Sequence, residues 1–220
     1  PGDVVFLSFT DSDLAGMAAA WKSDASLPSL RLAALRDLRH PMSVDLWIDS
    51  AARHAKLILV RILGGYDWWR YGCDQLAATA RRHGIRLALV PGECREEDLR
   101  LVEASTLAHD ELASLLEFFR EGGPDNMRLL ARKLAGLARG EAVQAKPVDV
   151  PRAGYYRPTG AGVDKSNSMV PILFYRSMLL ANDVAPIDAL ARELWAKGID
   201  ARPIFVTSLK DATSLAFVER

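Results

Sequence analysis

The side chains best placed for binding chemistry lie directly after the most apolar run of the sequence. Arg61 ends that run, and Gly64, Gly65, Trp69 and Tyr71 follow within ten residues. Glycines at the carboxyl end of a parallel strand let a ligand approach the backbone, and ligands of open α/β sheets bind at that edge. The aromatic rings could form a platform for a flat macrocycle, and Arg61 could meet an anionic group. The alternative is that Trp69 is a core residue and that the other rings pack against helices.

A second candidate binding segment follows a later apolar run. Arg176 and Ser177 come directly after Tyr175, and Asn182 precedes the next helical pattern. A guanidinium binds a carboxylate through two parallel hydrogen bonds, so Arg176 could recognise an anion. The structural alternative is that Arg176 ties its loop to the preceding linker.

The end of the first apolar run disfavours phosphate binding. A flavodoxin-like fold would bind phosphate at residues 8–13, but Asp11 and Asp13 would repel it. We expect Thr10 and its neighbours to form a helix N-cap instead. The central strand ends at Arg61, so the phosphoacceptor aspartate of a receiver domain is missing.

Other catalytic and metal-binding patterns are absent from the sequence. No nucleotide-binding glycine motif, zinc-protease motif or serine-hydrolase motif occurs. The four histidines are scattered, without carboxylates or thiols at ligand spacing, so no metal site is assigned. Cys73 is predicted to be a core residue, and nothing near Cys94 suggests an activated thiolate. The catalytic residues therefore stay unassigned.

Composition limits the partners of the chain. Its 220 residues contain 28 basic and 28 acidic side chains, so the formal net charge is zero and no global field favours nucleic acid or anionic membranes. No apolar run reaches the roughly 20 residues of a membrane helix, and we expect a cytoplasmic protein. The chain begins with proline and ends inside an amphipathic pattern, so we expect a piece of a longer polypeptide.

Alternating apolar runs and helical patterns predict an α/β fold. We expect a flavodoxin- or Rossmann-like parallel sheet with helices on both faces, followed by a helical segment and the start of a second βαβ domain. Strands are predicted at 4–9, 30–35, 56–63, 85–90, 170–175 and 199–206. Helices are predicted at 14–21, 41–51, 67–83, 99–102, 112–119, 127–137, 186–197 and from Ser208. The predicted domains are 1–95 for the sheet, 96–140 for the helical extension, 141–169 for a linker or crossing segment, and 170–220 for the second domain.

Several short strings together resemble the large subunits of aerobic cobaltochelatases, the CobN family. They are residues 61–65 with Trp69, then 71–72, 89–92, 171–177, 186–190 and 203–211. The strings at 171–177 and beyond are also similar to the magnesium chelatase H subunit, where an Arg-Ser pair also ends the strand. The resemblance covers nearly all of the chain.

The resemblance implies ATP-dependent insertion of cobalt(II) into hydrogenobyrinic acid a,c-diamide during cobalamin biosynthesis. The large subunit would bind this corrinoid and cobalt, while an AAA+ ATPase and its companion subunit use ATP and magnesium. No cofactor, nucleic acid or membrane is expected on this segment, which alone would be inactive. The base and metal ligands are expected outside these residues. The predicted substrate-binding residues are Arg61, Gly64, Gly65, Trp69, Tyr71, Arg176, Ser177 and Asn182.

The sequence departs from the family at one position. Many relatives carry histidine two residues after the strand-end arginine, where this chain has Met178. A metal-ligand or proton-transfer role at Met178 is therefore not expected. Two other functions stay open: a magnesium chelatase H-like subunit inserting magnesium into protoporphyrin IX, or a non-catalytic flavodoxin-like module for binding or interaction.

Overall fold

The computed structural model describes residues 1–92, 98–158 and 169–219. They form two compact units, unit 1 at Pro1–Val148 and unit 2 at Asp149–Arg220. The prediction for Cys94 lies outside the described residues.

Unit 1 is built on a four-stranded parallel sheet. Its strands are β1 (Val4–Ser8), β2 (Leu30–Ala34), β3 (Leu57–Ile62) and β4 (Arg86–Pro91), in the spatial order β2-β1-β3-β4. The continuous apolar sequence of β3 reflects burial on both faces, because helices cover the sheet on both sides. The predicted fold class is confirmed.

Within the described residues, unit 1 has seven α-helices and two short 3-10 helices, at Leu35–Leu38 and Ala52–His54. The α-helices are α1 (Asp11–Lys22), α2 (Pro41–Ser50), α3 (Gly65–Trp68), α4 (Arg70–His83), α5 (Leu99–Ala104), α6 (His109–Glu121) and α7 (Pro124–Arg139). One face of the sheet packs against α1, α6 and α7, and the other packs against α2, α4 and α5. The side chain of Thr10 accepts a hydrogen bond from the amide of Ser12, which confirms the predicted N-cap.

The predicted helix at 67–83 is wrong in one respect, because the structure divides it at Trp69. The backbone of Trp69 lies outside the helical region, at φ −134° and ψ 37°. Its indole N–H donates to the carbonyl of Leu38 at 2.8 Å, and the ring is buried. Anchoring this large side chain in the core accompanies the break between α3 and α4.

Unit 2 contains a three-stranded sheet in the order β5-β7-β6. The elements are β5 (Ala153–Tyr155), β6 (Met169–Tyr175), α8 (Arg176–Leu180), α9 (Ala185–Ala196), β7 (Asp200–Val206) and α10 (Ala212–Val218). Strands β6 and β7 are parallel, and β5 is antiparallel to β7. The final helix starts at Ala212 with Asp211 as its cap, so the predicted start at Ser208 is wrong.

The stretch predicted as a linker before β6 takes part in this unit. It supplies β5, and Tyr156 packs edge-on against Phe174. The hydroxyl of Tyr156 donates to the carboxylate of Asp188 at 2.9 Å. These contacts explain why tyrosines occur in an otherwise aperiodic stretch.

Candidate functional site

The first candidate site lies at the carboxyl edge of the unit 1 sheet, between β1 and β3. The chain passes from β1 to β2 on one side and later to β3 on the other, and ligands of open α/β sheets bind where the strand order reverses in this way. Arg61, near the end of β3, donates from Nη1 to both carboxylate oxygens of Asp13 at 2.8 Å. Its Nη2 donates to the carbonyl of Gly92 at 3.0 Å. The Arg61 and Asp13 side chains are only 11% and 10% exposed.

Protein groups surround this ion pair. Ser8 Oγ donates to Asp13 Oδ2 at 2.6 Å. The Arg61 guanidinium lies 4.7 Å from the ring centroid of Phe119 and 5.3 Å from that of Phe9. We call Ser8, Asp13, Arg61, Gly92 and Phe119 the strand-end cluster. It occupies the crevice in which flavodoxin-like proteins hold a ligand, and the charge of Arg61 is compensated within the protein.

Gly64 and Gly65 form a left-handed turn after β3, with φ of +83° and +70°. A Cβ atom on Gly65 would lie 2.6 Å from Oδ2 of Asp98. That carboxylate accepts hydrogen bonds from the amides of Tyr66 at 2.7 Å and Arg100 at 3.1 Å. One side chain therefore holds the first turns of both α3 and α5, and Gly65 leaves the space in which it does so.

The aromatic residues after this turn have different environments. Trp69 is 5% exposed, and a Cβ on Gly72 would overlap its indole ring, so Trp69 is a core residue. Trp68 and Tyr71 are 44% and 39% exposed. The hydroxyl of Tyr71 hydrogen-bonds to the carboxylate of Asp45 at 2.9 Å, which raises the pKa of the phenol.

Tyr66 lies among charged groups that are paired with one another. The guanidinium of Arg100 lies 5.0 Å from the Tyr66 ring centroid and binds both oxygens of Asp67, at 2.8 and 2.7 Å. This hydrogen bonding to Arg100 lowers the pKa of Asp67. The Tyr66 hydroxyl hydrogen-bonds to Asp74, which raises the pKa of Tyr66.

Arg176 connects two parts of unit 2. Its Nη2 donates to the carbonyl of Val150 at 2.8 Å, and its Nε donates to the carbonyl of Pro151 at 3.1 Å. These bonds match the structural alternative, in which Arg176 ties the strand end to the preceding linker. Ser177 is exposed in the first turn of α8. Asn182 follows α8 at φ +56°, a conformation that asparagine adopts more readily than most residues.

A groove of about 470 Å³ lies at the carboxyl ends of β6 and β7. Its lining is mostly apolar, with a lysine and a serine at the end of β7. The lining includes Leu173, Tyr175, Met178, Ile187, Leu209 and Lys210. Sequence reasoning selected Arg176 and Ser177 at the end of β6 but missed Leu209 and Lys210. The same strand-end rule, applied to β7, would have found them.

Two other findings concern chemistry and location. Burial raises the pKa of the Cys73 thiol to about 12, in agreement with its predicted place in the core. Within residues 1–92, 98–158 and 169–219, we find no group of three histidine, cysteine, aspartate or glutamate side chains able to hold a metal ion. In the same ranges, none of the helices combines the length and apolar character needed to span a membrane.

Comparison with known proteins gives consistent matches. Residues 116–219 match the family model for CobN/Magnesium Chelatase. The whole chain aligns with the aerobic cobaltochelatase subunit CobN from Sinorhizobium sp at 38% identity and from Pseudomonas aeruginosa at 34%. The H subunit of magnesium chelatase from Rhodobacter capsulatus is 32% identical over 43% of this chain and 9% of its own length.

A solved structure shares the fold. The catalytic subunit of cobaltochelatase from Mycobacterium tuberculosis matches 98% of this chain with a TM-score of 0.77 and 26% identity. The match covers 17% of that chain, and the two CobN alignments each cover 18% of the relative. The chain therefore spans less than a fifth of the length of these similar proteins.

Proposed function

We propose that the chain belongs to the CobN/magnesium chelatase family and is a section of the large subunit of an ATP-dependent cobaltochelatase. The intact enzyme would insert cobalt(II) into hydrogenobyrinic acid a,c-diamide. The alignment of this whole chain with part of two CobN proteins carries this proposal. A protein that inserts magnesium into protoporphyrin IX is the second candidate, supported by the alignment of 43% of the chain with the magnesium chelatase H subunit.

Within that enzyme we propose a non-catalytic role for this section, which would help to enclose the corrinoid or to dock the partner subunits. The arginines near its predicted site support this role, because Arg61 is paired with Asp13 and Arg100 with Asp67. The base that removes the pyrrolic protons and the ligands of the incoming cobalt would belong to other parts of the large subunit. ATP would be hydrolysed by AAA+ partner subunits, with cobalt as a substrate.

The eight residues predicted to bind substrate take four different roles under this proposal. Arg61, Trp69 and Arg176 would act as positioning residues, because each is held by hydrogen bonds to other protein groups. Tyr71, together with Trp68, would offer exposed aromatic surface to the macrocycle or to another part of the large subunit. Gly64 and Gly65 would set the turn that presents this surface, and Ser177 and Asn182 would lie at the corresponding edge of unit 2.

The proposal is tested on the full-length large subunit with its ATPase partners. We expect a large subunit lacking these 220 residues to lose corrinoid binding, cobalt insertion or both. Since the deletion could impair folding, a Trp68→Ala/Tyr71→Ala double variant provides a second measurement, with Val148→Ala as a control on an exposed apolar residue. The double variant should weaken corrinoid binding while the control leaves it unchanged. Normal corrinoid affinity and insertion rate in both altered proteins would contradict the proposed role.

A flavodoxin-like binding module is tested separately, by calorimetry of the chain with FMN and with ATP. We expect no heat of binding from either, because the strand-end cluster occupies the crevice between β1 and β3. The packing of Gly92 against Phe9 supports this expectation, since a Cβ on Gly92 would lie 2.5 Å from the Phe9 ring. Saturable heat from either compound would show that the crevice accepts a nucleotide.

A further inference from the structure

Strand β6 is an apolar edge strand. Among the described residues it pairs with β7 alone, so its other edge offers backbone groups to a further strand. Its sequence, Met-Val-Pro-Ile-Leu-Phe-Tyr, contains no charged residue. Natural proteins usually protect an exposed edge with charges, proline, a bulge or a covering element, and the only one of these within β6 itself is Pro171, which removes a single backbone donor. A long uncharged edge is therefore expected to be covered in the working protein.

The face of the sheet over β6 is also incomplete. Ile172 and Phe174 are buried in the cluster formed with α9. Leu173 and Tyr175 point to the opposite face and are 41% and 63% exposed. Their partners on β7 are Ile204 and Val206, which are buried on that same face with side chains of α10. Helix α10 thus covers β7 and leaves this face of β6 open.

The connections of unit 1 show where a strand after α10 would lie. There, α1 and α2 cover opposite faces of the sheet, and β3 pairs with the edge of β1 that β2 leaves free. This placement follows from right-handed crossovers, which parallel sheets adopt almost without exception. In unit 2, α9 and α10 also cover opposite faces. A parallel strand reached from β7 through α10 would therefore lie beside β6, and the other side of β7 is already taken by β5.

We propose that the free edge of β6 takes a parallel β-strand from the polypeptide that follows α10 in the whole large subunit. Unit 2 would then have the same central strand order as unit 1. The length of the relatives supports this occupant, because the matched region is 18% of each CobN protein and the remainder lies outside it. This inference shares with the proposed function only the longer polypeptide, because it does not depend on metal insertion. Its test therefore measures the protection of backbone amides from exchange and not activity.

The test compares hydrogen exchange of β6 in the 220-residue chain and in the full-length large subunit. Alternate amides of β6 face the free edge, and they should exchange at least about tenfold more slowly in the full-length protein because a new strand protects them. The amides of Ile204, Phe205 and Val206 in β7 serve as an internal control, since these residues are paired with both β5 and β6 within the chain. Equal exchange of the β6 amides in the two proteins would overturn the proposal.

A substitution then tests the position of the new strand. Leu173→Lys adds a charge to the open face of β6. The control, Leu190→Lys, adds a charge at a similarly exposed leucine of α9, away from that face. We expect Leu173→Lys to reduce β6 protection at least about tenfold in the full-length protein and to have little effect in the shorter chain, with no change from Leu190→Lys. Effects of equal size in both proteins would overturn the proposal. So would protection that rises with the concentration of the shorter chain but is missing in the full-length protein, because the occupant would then be a second copy.

Discussion

Arg61 and Asp13 form the ion pair of unit 1 whose loss should cost most. Each side chain is about nine-tenths buried, and Arg61 makes three hydrogen bonds within the cluster. Removing one partner of a buried pair leaves an uncompensated charge and typically costs about 3–5 kcal/mol. We therefore expect Arg61→Met to lower the free energy of unfolding by about that amount, as measured by urea denaturation.

The matched control is the exposed pair between Arg36 and Asp11, whose side chains are 62% and 69% exposed. Arg36→Met removes the same charge at the surface and should cost less than about 1 kcal/mol. Equal losses for the two variants would mean that the Arg61 pair is screened as effectively as a surface pair. That result would remove the reason for assigning Arg61 a positioning role.

The sequence identified Arg61 as an anion-binding residue but could not identify the anion. The carboxylate that it binds belongs to Asp13, 48 positions earlier in the chain. From the sequence, Asp13 is interpretable only as a residue that repels phosphate within a helix cap. The pairing arises because β1 and β3 are neighbours in the sheet, and strand order is a property of the tertiary fold. Single-residue chemistry was therefore predictable, while the choice between an external ligand and an internal partner was not.

At the scale of elements, Gly65 and Asp98 together determine how α3 and α5 begin. Gly65→Ala would force a side chain into a left-handed conformation and place its Cβ against the Asp98 carboxylate. The conformational strain alone is about 1–2 kcal/mol, and loss of a helix cap adds about 1 kcal/mol. We expect Gly65→Ala to be destabilising by roughly the sum, measured by urea denaturation.

Gly84→Ala separates these two contributions. Gly84 also has a left-handed backbone, at φ +66°, but beyond its chain neighbours no described atom lies within 4 Å of the position that a Cβ would take. The Gly84→Ala substitution should therefore lower the free energy of unfolding only by the conformational strain. If Gly84→Ala were as destabilising as Gly65→Ala, the contact with Asp98 would contribute nothing to stability.

Local sequence patterns predicted the strands and helices of unit 1 well, because apolar runs and helical spacing report burial directly. The break at Trp69 was missed because the helical spacing of apolar residues continues across it. Strand β5 was missed for another reason: it has three residues and is defined by antiparallel pairing with β7, about 50 residues later. Helix α8 was missed because its five residues make little more than one turn, too short for a helical spacing of apolar residues to show.

At the scale of a whole unit, Tyr156 makes the stability of unit 2 depend on pH in the alkaline range. Burial, together with the hydrogen bond to Asp188, raises the pKa of Tyr156 to about 12. The unfolded chain has the ordinary tyrosine pKa of about 10, so the folded state favours the neutral phenol. The stabilisation is fully present below pH about 10 and is lost as the pH rises towards about 12.

Tyr156→Phe should remove this part of the pH dependence, and Tyr155→Phe on the neighbouring residue is the control. The measurement is the urea midpoint of unit 2, followed by hydrogen exchange of its peptides, at pH 9, where the stabilisation is complete, and at pH 11, between the two pKa values of about 10 and 12. An unchanged pH profile in Tyr156→Phe would show that another group governs the alkaline stability of this unit.

The two units have separate hydrophobic cores, and this predicts how the chain responds to core mutations. Phe174 is buried with residues of β7 and α9, whereas Phe118 is buried with residues of β1, β3 and α7. Truncating a buried phenylalanine to alanine costs about 3–5 kcal/mol. Because neither core cluster contains residues of the other unit, each loss should be confined to one unit.

Phe174→Ala should therefore accelerate hydrogen exchange in β6, β7 and α9 but not in β1 or β3, and Phe118→Ala should do the reverse. Acceleration of both units by either substitution would show that they unfold as one cooperative body, and the division at Val148 would then have no energetic meaning.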